Sequence, residues 1–127
     1  MIRGIRGAIT VENNQSEDIL QATTSLLQQM IDKNGINAEQ VAHIWFTVTK
    51  DLDTAFPAKV TRSFEGWQYV PVMCATEIPV PGSLEKCIRI MVTVDTAKAQ
   101  EEINHVYLGG ASVLRPDLGL TNSQDAR

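Results

Sequence analysis

A segment late in the chain alternates strictly between two kinds of side chain, and this alternation constrains the fold more than any other feature. Every second residue is aliphatic: Ile88, Ile90, Val92 and Val94. Because residues two apart lie on the same face of a strand, the pattern predicts a strand over Cys87–Val94 with one face in a core. Arg89 then lies in the middle of the strand on the opposite face. An arginine is unusual there unless that face is solvated, carries an ion pair or lines a pocket.

A second arginine stands in a similar position near the start of the chain. The segment Ile2–Val11 is rich in β-branched residues and glycine and is predicted to be the first strand. Arg6 shares one face with Gly4 and Ala8, which are too small to fill the space around it. Two such arginines indicate a cavity that binds a carboxylate through bidentate hydrogen bonds. The pattern is also typical of solvent-facing arginines or of ion pairs, and Glu77 is a candidate partner for either one.

A helix is predicted between the first two strands. Asn14 and Glu17 have the spacing of a capping box, and Gly35 is a natural stop for the helix. Apolar residues recur between these ends at helical spacing: Ile19, Leu20, Thr23, Leu27, Met30 and Ile31. One side of the helix is therefore expected to pack against the sheet.

The middle of the chain predicts a strand followed by a short helix. Val41–Val48 is expected to be the second strand, and its apolar face would consist of Ala42, Ile44, Phe46 and Val48. Asp53 is the expected cap of a short helix over Phe56–Glu65. The buried stripe of this helix would consist of Phe56, Val60 and Phe64. Lys59 and Arg62, three residues apart, share a different face, which in most proteins is solvated.

The remaining segments predict further strands. Val70–Glu77 is expected to be the third strand, and Pro71 near its start indicates an edge strand. Asn104–Leu114 is expected to supply one or two strands around a turn at Gly109–Gly110. This order of elements predicts an α+β fold, a mixed β-sheet with helices packed on one face.

Length and charge bound the class of protein. The 127 residues fit one domain, predicted over residues 1–114, followed by a polar, mobile tail over 115–127. The net charge of −4 disfavours a nucleic-acid partner, so an anion site must be a local concentration of Arg and Lys. No targeting leader and no membrane-spanning apolar run is evident, and no membrane partner is expected.

Cysteine and histidine usage predicts a cytoplasmic, reduced protein without a metal site. Cys74 and Cys87 lie far apart, and His43 and His105 are equally isolated. Cys74 has no neighbouring histidine, so a buried structural thiol is favoured over a nucleophile. No Ser–His–Asp arrangement and no Gly-rich phosphate loop is evident either. An enzyme with this sequence would therefore catalyse a reaction that needs neither a nucleophile nor a cofactor.

Several segments taken together closely resemble the monofunctional chorismate mutases of the trimeric, barrel-like class, which is distinct from the all-helical class. They occur in the order and spacing of that family: IRGIRGA over 2–8, FPAKVTR over 56–62, GWQYVPV over 66–72, KCIRIMVTV over 86–94, HVYL over 105–108 and LRPDL over 114–118. No single segment is diagnostic, but the set spans most of the chain and is specific.

The resemblance implies an assembly and a reaction. The assembly is a homotrimer whose mixed sheets form a pseudo α/β barrel, with three active sites in clefts between adjacent subunits. The reaction is the [3,3] rearrangement of chorismate to prephenate at the branch towards phenylalanine and tyrosine. It is unimolecular, has no covalent intermediate and needs no cofactor, in agreement with the missing nucleophile.

The resemblance also implies roles for individual residues. Arg89 would donate to the ether oxygen as the carbon–oxygen bond breaks. Arg6 would bind a substrate carboxylate, with Tyr107 donating a hydrogen bond beside it. Glu77 would accept from the ring hydroxyl with the help of Cys74. Arg89, Glu77 and Arg6 are thus the expected catalytic residues.

Other matching residues would line or close the cleft, some of them from the neighbouring subunit. The expected substrate contacts are Phe56, Lys59, Arg62, Met73, Ala75 and Thr76, and Ala58, Val72, Leu114 and Arg115 complete the lining. Met73 stands where a smaller, more polar residue is expected, so its contact would come from the backbone only. Gly109–Gly110 makes the late strand more flexible than the family pattern suggests.

Two other classes of function stay open. Small trimeric domains of related architecture serve as imine or enamine deaminases or as carboxylate-binding modules, and their clefts between subunits also hold a carboxylate-binding arginine. A second strand arginine together with Glu77 and Tyr107 is more than carboxylate capture requires. A purely structural oligomer would leave the cavity beside Arg6 unexplained.

Overall fold

The structure, a computed structural model, describes residues 1–114, and the predicted tail with Arg115 lies outside the described residues. The strands are β1 (Ile2–Thr10), β2 (Val41–Val48), β3 (Val72–Thr76), β4 (Cys87–Asp95) and β5 (Val106–Leu108). One α-helix, α1 (Ser16–Asn34), connects β1 to β2. The short 3-10 helices of residues 1–114 are Ala38–Gln40, Pro57–Ser63, Gln100–Glu102 and Gly109–Leu114. No helix within this range is long and apolar enough to cross a membrane.

The strands form one sheet in the order β3-β2-β4-β1-β5. The central strand β4 runs antiparallel to both β1 and β2. The outer strands β5 and β3 run parallel to β1 and β2, respectively. The sheet is therefore mixed, as predicted, and β3 lies at an edge, as Pro71 indicated.

The core lies between one face of the sheet and the helices. The aliphatic face of β4 is almost completely inaccessible to solvent: Ile88, Ile90, Val92 and Val94. Burial of each such side chain contributes roughly 1.5–3 kcal/mol relative to exposure. Gly7 allows α1 to approach β1 closely, because a Cβ at this position would lie 2.5 Å from the Met30 sulfur. Helices thus cover one face and leave Arg89 on the other.

The two side chains predicted to cap helices instead join two loops. The Asn14 amide nitrogen donates to Asp53 Oδ1 at 2.8 Å, and the Asn14 amide oxygen accepts from the Asp53 N–H at 3.1 Å. Gln15 precedes α1 without a side-chain cap, and Phe56 does the same for the 3-10 helix Pro57–Ser63. Both predicted caps are wrong, because Asn14 and Asp53 form hydrogen bonds with each other instead of with the first turns of the helices. Gly35 ends α1 in the left-handed conformation, as predicted.

The predicted helix over Phe56–Glu65 is a 3-10 helix, Pro57–Ser63, rather than an α-helix. With about three residues per turn, the i, i+4 spacing does not keep side chains on one face. Val60 is buried, but Phe56 precedes the helix and is 77% exposed. The predicted buried stripe is therefore wrong at Phe56.

Two further differences arise where the backbone departs from ideal strands. A bulge in β2 between Val41 and His43 turns Ala42 to solvent, so the predicted apolar face begins only at Ile44. After β5 the chain forms the 3-10 helix Gly109–Leu114 in place of the expected turn, so Asn104–Leu114 supplies one of the one or two strands expected.

Candidate active site

The face of the sheet opposite α1 aligns several predicted site residues in one row. Arg89 pairs with Ala8 of β1 on one side and with Thr47 of β2 on the other. Ala8 pairs in turn with Tyr107 of β5, and Thr47 pairs with Ala75 of β3. Directly paired residues project to the same face with Cβ atoms about 4.5–5.5 Å apart. The row therefore crosses the whole sheet with Arg89 at its centre.

Arg6 lies on the same face, two residues before Ala8. Its Nε donates to the Tyr107 hydroxyl oxygen at 3.0 Å, and its backbone N–H donates to His105 Nδ1 at 3.0 Å. The adjoining groove has a volume of about 390 Å³ and is lined by Arg6, Gly7, Ala8, Arg89, Tyr107 and Leu114. This volume lies within the range of small-molecule sites, so the space predicted beside Arg6 is present.

Glu77 joins this group from the end of β3. Its N–H donates to the Val48 carbonyl at 2.8 Å, which fixes where the chain leaves the sheet. Its carboxylate oxygen Oε2 accepts a hydrogen bond from the Thr47 hydroxyl and lies 3.4 Å from Arg89 Nε. Arg89 Nε is nevertheless buried without a hydrogen-bond partner in the described part of the chain. The two charges are thus in contact, but the N–H direction does not meet hydrogen-bond geometry.

The start of β4 is held by a second polar cluster, which strand patterning did not predict. Both carboxylate oxygens of Asp51 accept from the Lys86 N–H, at 3.2 and 3.0 Å, and Oδ1 also accepts from the Thr49 hydroxyl at 2.5 Å. The Thr49 oxygen accepts from the Cys87 N–H at 3.0 Å. Burial alone would raise the pKa of Asp51, but the hydrogen bonds from Thr49 and Lys86 outweigh it and lower that pKa.

Cys87 shares a face of β4 with Arg89, two residues away, and is fully buried. Burial raises the pKa of its thiol by more than the positive charge of the nearby Arg89 lowers it. The thiol is therefore neutral at physiological pH, and it packs with Ala8 and Ala111 beside Arg89. Both Cys74 and Cys87 are free.

Most of the other predicted contacts lie in a second groove at the β3 edge of the sheet. It has a volume of about 480 Å³ and is lined by Phe56, Ala58, Lys59, Thr61, Arg62, Val72, Met73 and Cys74. The strands β2 and β4 separate this groove from Arg6. Within one chain, the predicted cations therefore fall into two groups.

Cys74 and Thr76 lie on the opposite face of β3 from Ala75. Cys74 is half-buried against the core, and Thr76 is exposed at the edge. Within one chain, Cys74 could help Glu77 only from the face that holds the Arg89 row. Cys74 lies on the other face. Thr47 was not predicted to take part in the site, because its contact with Glu77 depends on strand register, which one sequence does not reveal.

Comparison with known proteins gives a consistent result. Residues 2–118 match the family model of type I chorismate mutase. The chain is 51% identical to chorismate mutase AroH of Bacillus subtilis over 125 residues, which is 98% of each chain. It is 50% identical to chorismate mutase AroH of Thermus thermophilus over 119 residues, 93% of this chain and 97% of the relative.

A solved structure has the same fold. The chain superimposes on a chorismate mutase from Clostridium thermocellum with a TM-score of 0.85 and 52% identity, over 88% of this chain and 99% of that one. Sequence and fold thus agree over nearly the whole length, and the chain belongs to the type I chorismate mutase family.

Proposed function

We propose that this chorismate mutase rearranges chorismate to prephenate in the groove between β1, β4 and β5, with Arg89 facing the bond that breaks. The observation that carries the proposal is the Arg89 side chain at the centre of the sheet. Its Nε is buried without a hydrogen-bond partner among residues 1–114. The side chain as a whole is 40% exposed and lines the groove, so its guanidinium can donate to a substrate oxygen there.

The reaction itself asks for restraint and charge stabilisation. One carbon–oxygen bond breaks and one carbon–carbon bond forms within the same molecule, and no proton or group is exchanged with the protein. Negative charge gathers on the ether oxygen as its bond to the ring lengthens. A cation fixed beside that oxygen stabilises the transition state more than the ground state, so it raises kcat. Arg89 supplies this cation.

Arg6 and Tyr107 hold the substrate in a reactive conformation. The Tyr107 hydroxyl accepts from Arg6 Nε at 3.0 Å and so fixes the plane of the guanidinium. A fixed guanidinium binds a carboxylate with a defined direction. Anchoring one carboxylate there brings the two carbons that are to be joined near attack distance.

Glu77 binds the ring hydroxyl of the substrate. Its carboxylate lies against Arg89 at the centre of the row, and its side chain is 26% exposed in an adjoining pocket formed by residues 49–51 and 77–85. A carboxylate that accepts from this hydroxyl orients the ring relative to Arg89. Glu77 thus sets which substrate bond faces the cation.

The second groove completes the site when copies of the chain assemble. Chorismate carries two carboxylates, and Lys59 and Arg62 lie in a groove separate from that of Arg6 and Arg89. Exposed apolar side chains flank the second groove and the open sheet face: Trp45, Phe56, Met73 and Met91. A homotrimer with three sites between adjacent subunits would cover these residues and bring the two grooves together. The cytoplasm, with its reduced cysteines, is the expected location.

A direct assay tests the proposal. Purified protein is mixed with chorismate without an added cofactor, and the loss of its ultraviolet absorbance is followed together with prephenate formation. Arg89→Ala is compared with Arg3→Ala, a control that removes another arginine from a strand. Within the described residues, the Arg3 side chain donates only to the Lys98 carbonyl and to the Met1 sulfur. We expect turnover by the wild type and the control, and a large loss in Arg89→Ala. No turnover by the wild type would refute the proposal. The deaminase alternative would instead require activity on an imine or enamine.

A further inference from the structure

The hydrogen bond from Thr47 to Glu77 has no part in the roles above. Thr47 is half-buried in β2 and pairs directly with Arg89 in antiparallel register. Glu77 leaves the sheet two residues after Ala75, which is the partner of Thr47 on β3. The hydroxyl therefore lies where it meets the Glu77 carboxylate beside the Arg89 guanidinium.

One carboxylate oxygen faces both neighbours. Oε2 of Glu77 accepts from the Thr47 hydroxyl and lies 3.4 Å from Arg89 Nε. A charge-assisted bond between a guanidinium and a carboxylate is normally about 2.7–2.9 Å long. The separation here exceeds that range, and Arg89 Nε makes no hydrogen bond within the described residues. Oε2 is thus hydrogen-bonded to Thr47, whereas its contact with Arg89 is an ion pair without a hydrogen bond to Nε.

Electrostatics alone would give the opposite arrangement. The Arg89 and Glu77 side chains are 40% and 26% exposed, so their attraction is only partly screened by water. A carboxylate with no competing donor would move onto the buried Nε and satisfy it. Because a carboxylate oxygen can accept from more than one donor, the Thr47 hydroxyl acts by fixing the position of Oε2.

We propose that Thr47 is a positioning residue: its hydroxyl holds the Glu77 carboxylate short of a hydrogen bond to Arg89, so that the Arg89 guanidinium stays available to the ether oxygen of the substrate. The inference rests on the proposed role of Arg89. Without the hydroxyl, Glu77 bonds to Arg89 in the free enzyme. The transition state then has to displace a charged acceptor before it gains its own hydrogen bond.

The test uses a pair of matched variants in the complete chain. Thr47→Val keeps the shape and β propensity of the residue but removes the hydroxyl, whereas Thr47→Ser keeps the hydroxyl and removes the methyl group. We expect Thr47→Val to lower kcat with chorismate about tenfold to a hundredfold, the size of a lost charge-assisted hydrogen bond. Thr47→Ser should recover most of that loss. The melting temperature of Thr47→Val should not fall, because a new ion-pair hydrogen bond replaces the lost one.

A double-mutant cycle separates positioning from packing. In a Glu77→Gln background the neutral amide has little attraction for Arg89, so Thr47→Val should cost much less there than in the wild type. An equal cost in both backgrounds would overturn the proposal, because it would indicate a defect of β2 itself.

Two other outcomes also count against the proposal. Unchanged kcat in Thr47→Val would show that the hydroxyl has no role, and equal losses in Thr47→Val and Thr47→Ser would assign the effect to shape. A wild-type protein that does not turn over chorismate would instead overturn the proposed function, and with it this role.

Discussion

Removal of Arg89 should separate catalysis from stability. In Arg89→Ala the cation opposite the ether oxygen is lost, and loss of one such preorganised donor costs about 3–4 kcal/mol in the transition state. We therefore expect kcat to fall roughly several hundredfold.

The structure predicts a much smaller effect on folding. The lost ion pair with Glu77 is partly exposed, with side chains 40% and 26% accessible, and such pairs contribute about 0–1 kcal/mol. The substitution also removes a buried unsatisfied Nε, whose burial costs about 1–3 kcal/mol. These contributions oppose each other, so the melting temperature should stay near or above that of the wild type.

Two measurements on the same preparation test this reasoning. The kcat is obtained from chorismate absorbance, and the melting temperature from circular dichroism, with Arg3→Ala as the control for loss of an arginine. Near-normal kcat in an Arg89→Ala protein that still assembles would refute the catalytic role of Arg89. A loss of stability in proportion to the loss of activity would contradict the separation of catalysis from folding.

Three further predictions address the polar cluster, the tail and the assembly. The pKa of Asp51 is lowered on folding, so its stabilising effect is present above the ordinary value of 3.8 and is lost as the pH falls through the folded value. Asp51→Asn should therefore melt at a lower temperature than the wild type at pH 7, and thermal scans should show this gap closing below pH 3.8. Deletion of residues 115–127 should chiefly raise KM, and an unchanged KM would exclude a contact between the tail and the ligand. Inactive Arg89→Ala and Arg62→Ala chains, refolded together, should regain activity in about one site in four, since one pairing in four joins two intact halves; no regain would contradict sites between subunits.

The parts of the fold that follow from strand period could be predicted from the sequence. The aliphatic face of β4 can be buried in only one way, because a shift by one residue would expose every member of it. The pattern therefore predicts Arg89 on the open face whatever the register with the neighbouring strands. The mixed sheet and the edge position of β3 followed from the order of elements and from Pro71.

The errors have local physical causes. Asn14 and Asp53 each have the composition of a cap, but their mutual hydrogen bonds compete with capping, and the sequence does not show that they meet. Ala42 fits an alternating pattern that the bulge in β2 interrupts. Phe56 fits an α-helical period where the chain adopts a 3-10 helix.

The sequence predicted most residues of the candidate site but not the distances between them. Arg6 and Arg89 could be recognised from strand patterns, with Glu77 as a candidate ion-pair partner, and the resemblance added Tyr107 and the role of each residue. Sequence reasoning missed Thr47, because its role depends on the register between β2 and β4. A sequence pattern reports which residues share a face, but distances across the sheet require the folded chain.

The most direct test of the central claim replaces Arg89 by citrulline, a neutral residue of nearly the same shape. Because positive charge at the ether oxygen supplies the acceleration, the citrulline enzyme should lose kcat almost as severely as Arg89→Ala. Its fold and melting temperature should stay close to those of the wild type. A citrulline enzyme that turns over chorismate at a near-normal rate would contradict the account, because shape and hydrogen bonding would then suffice without charge.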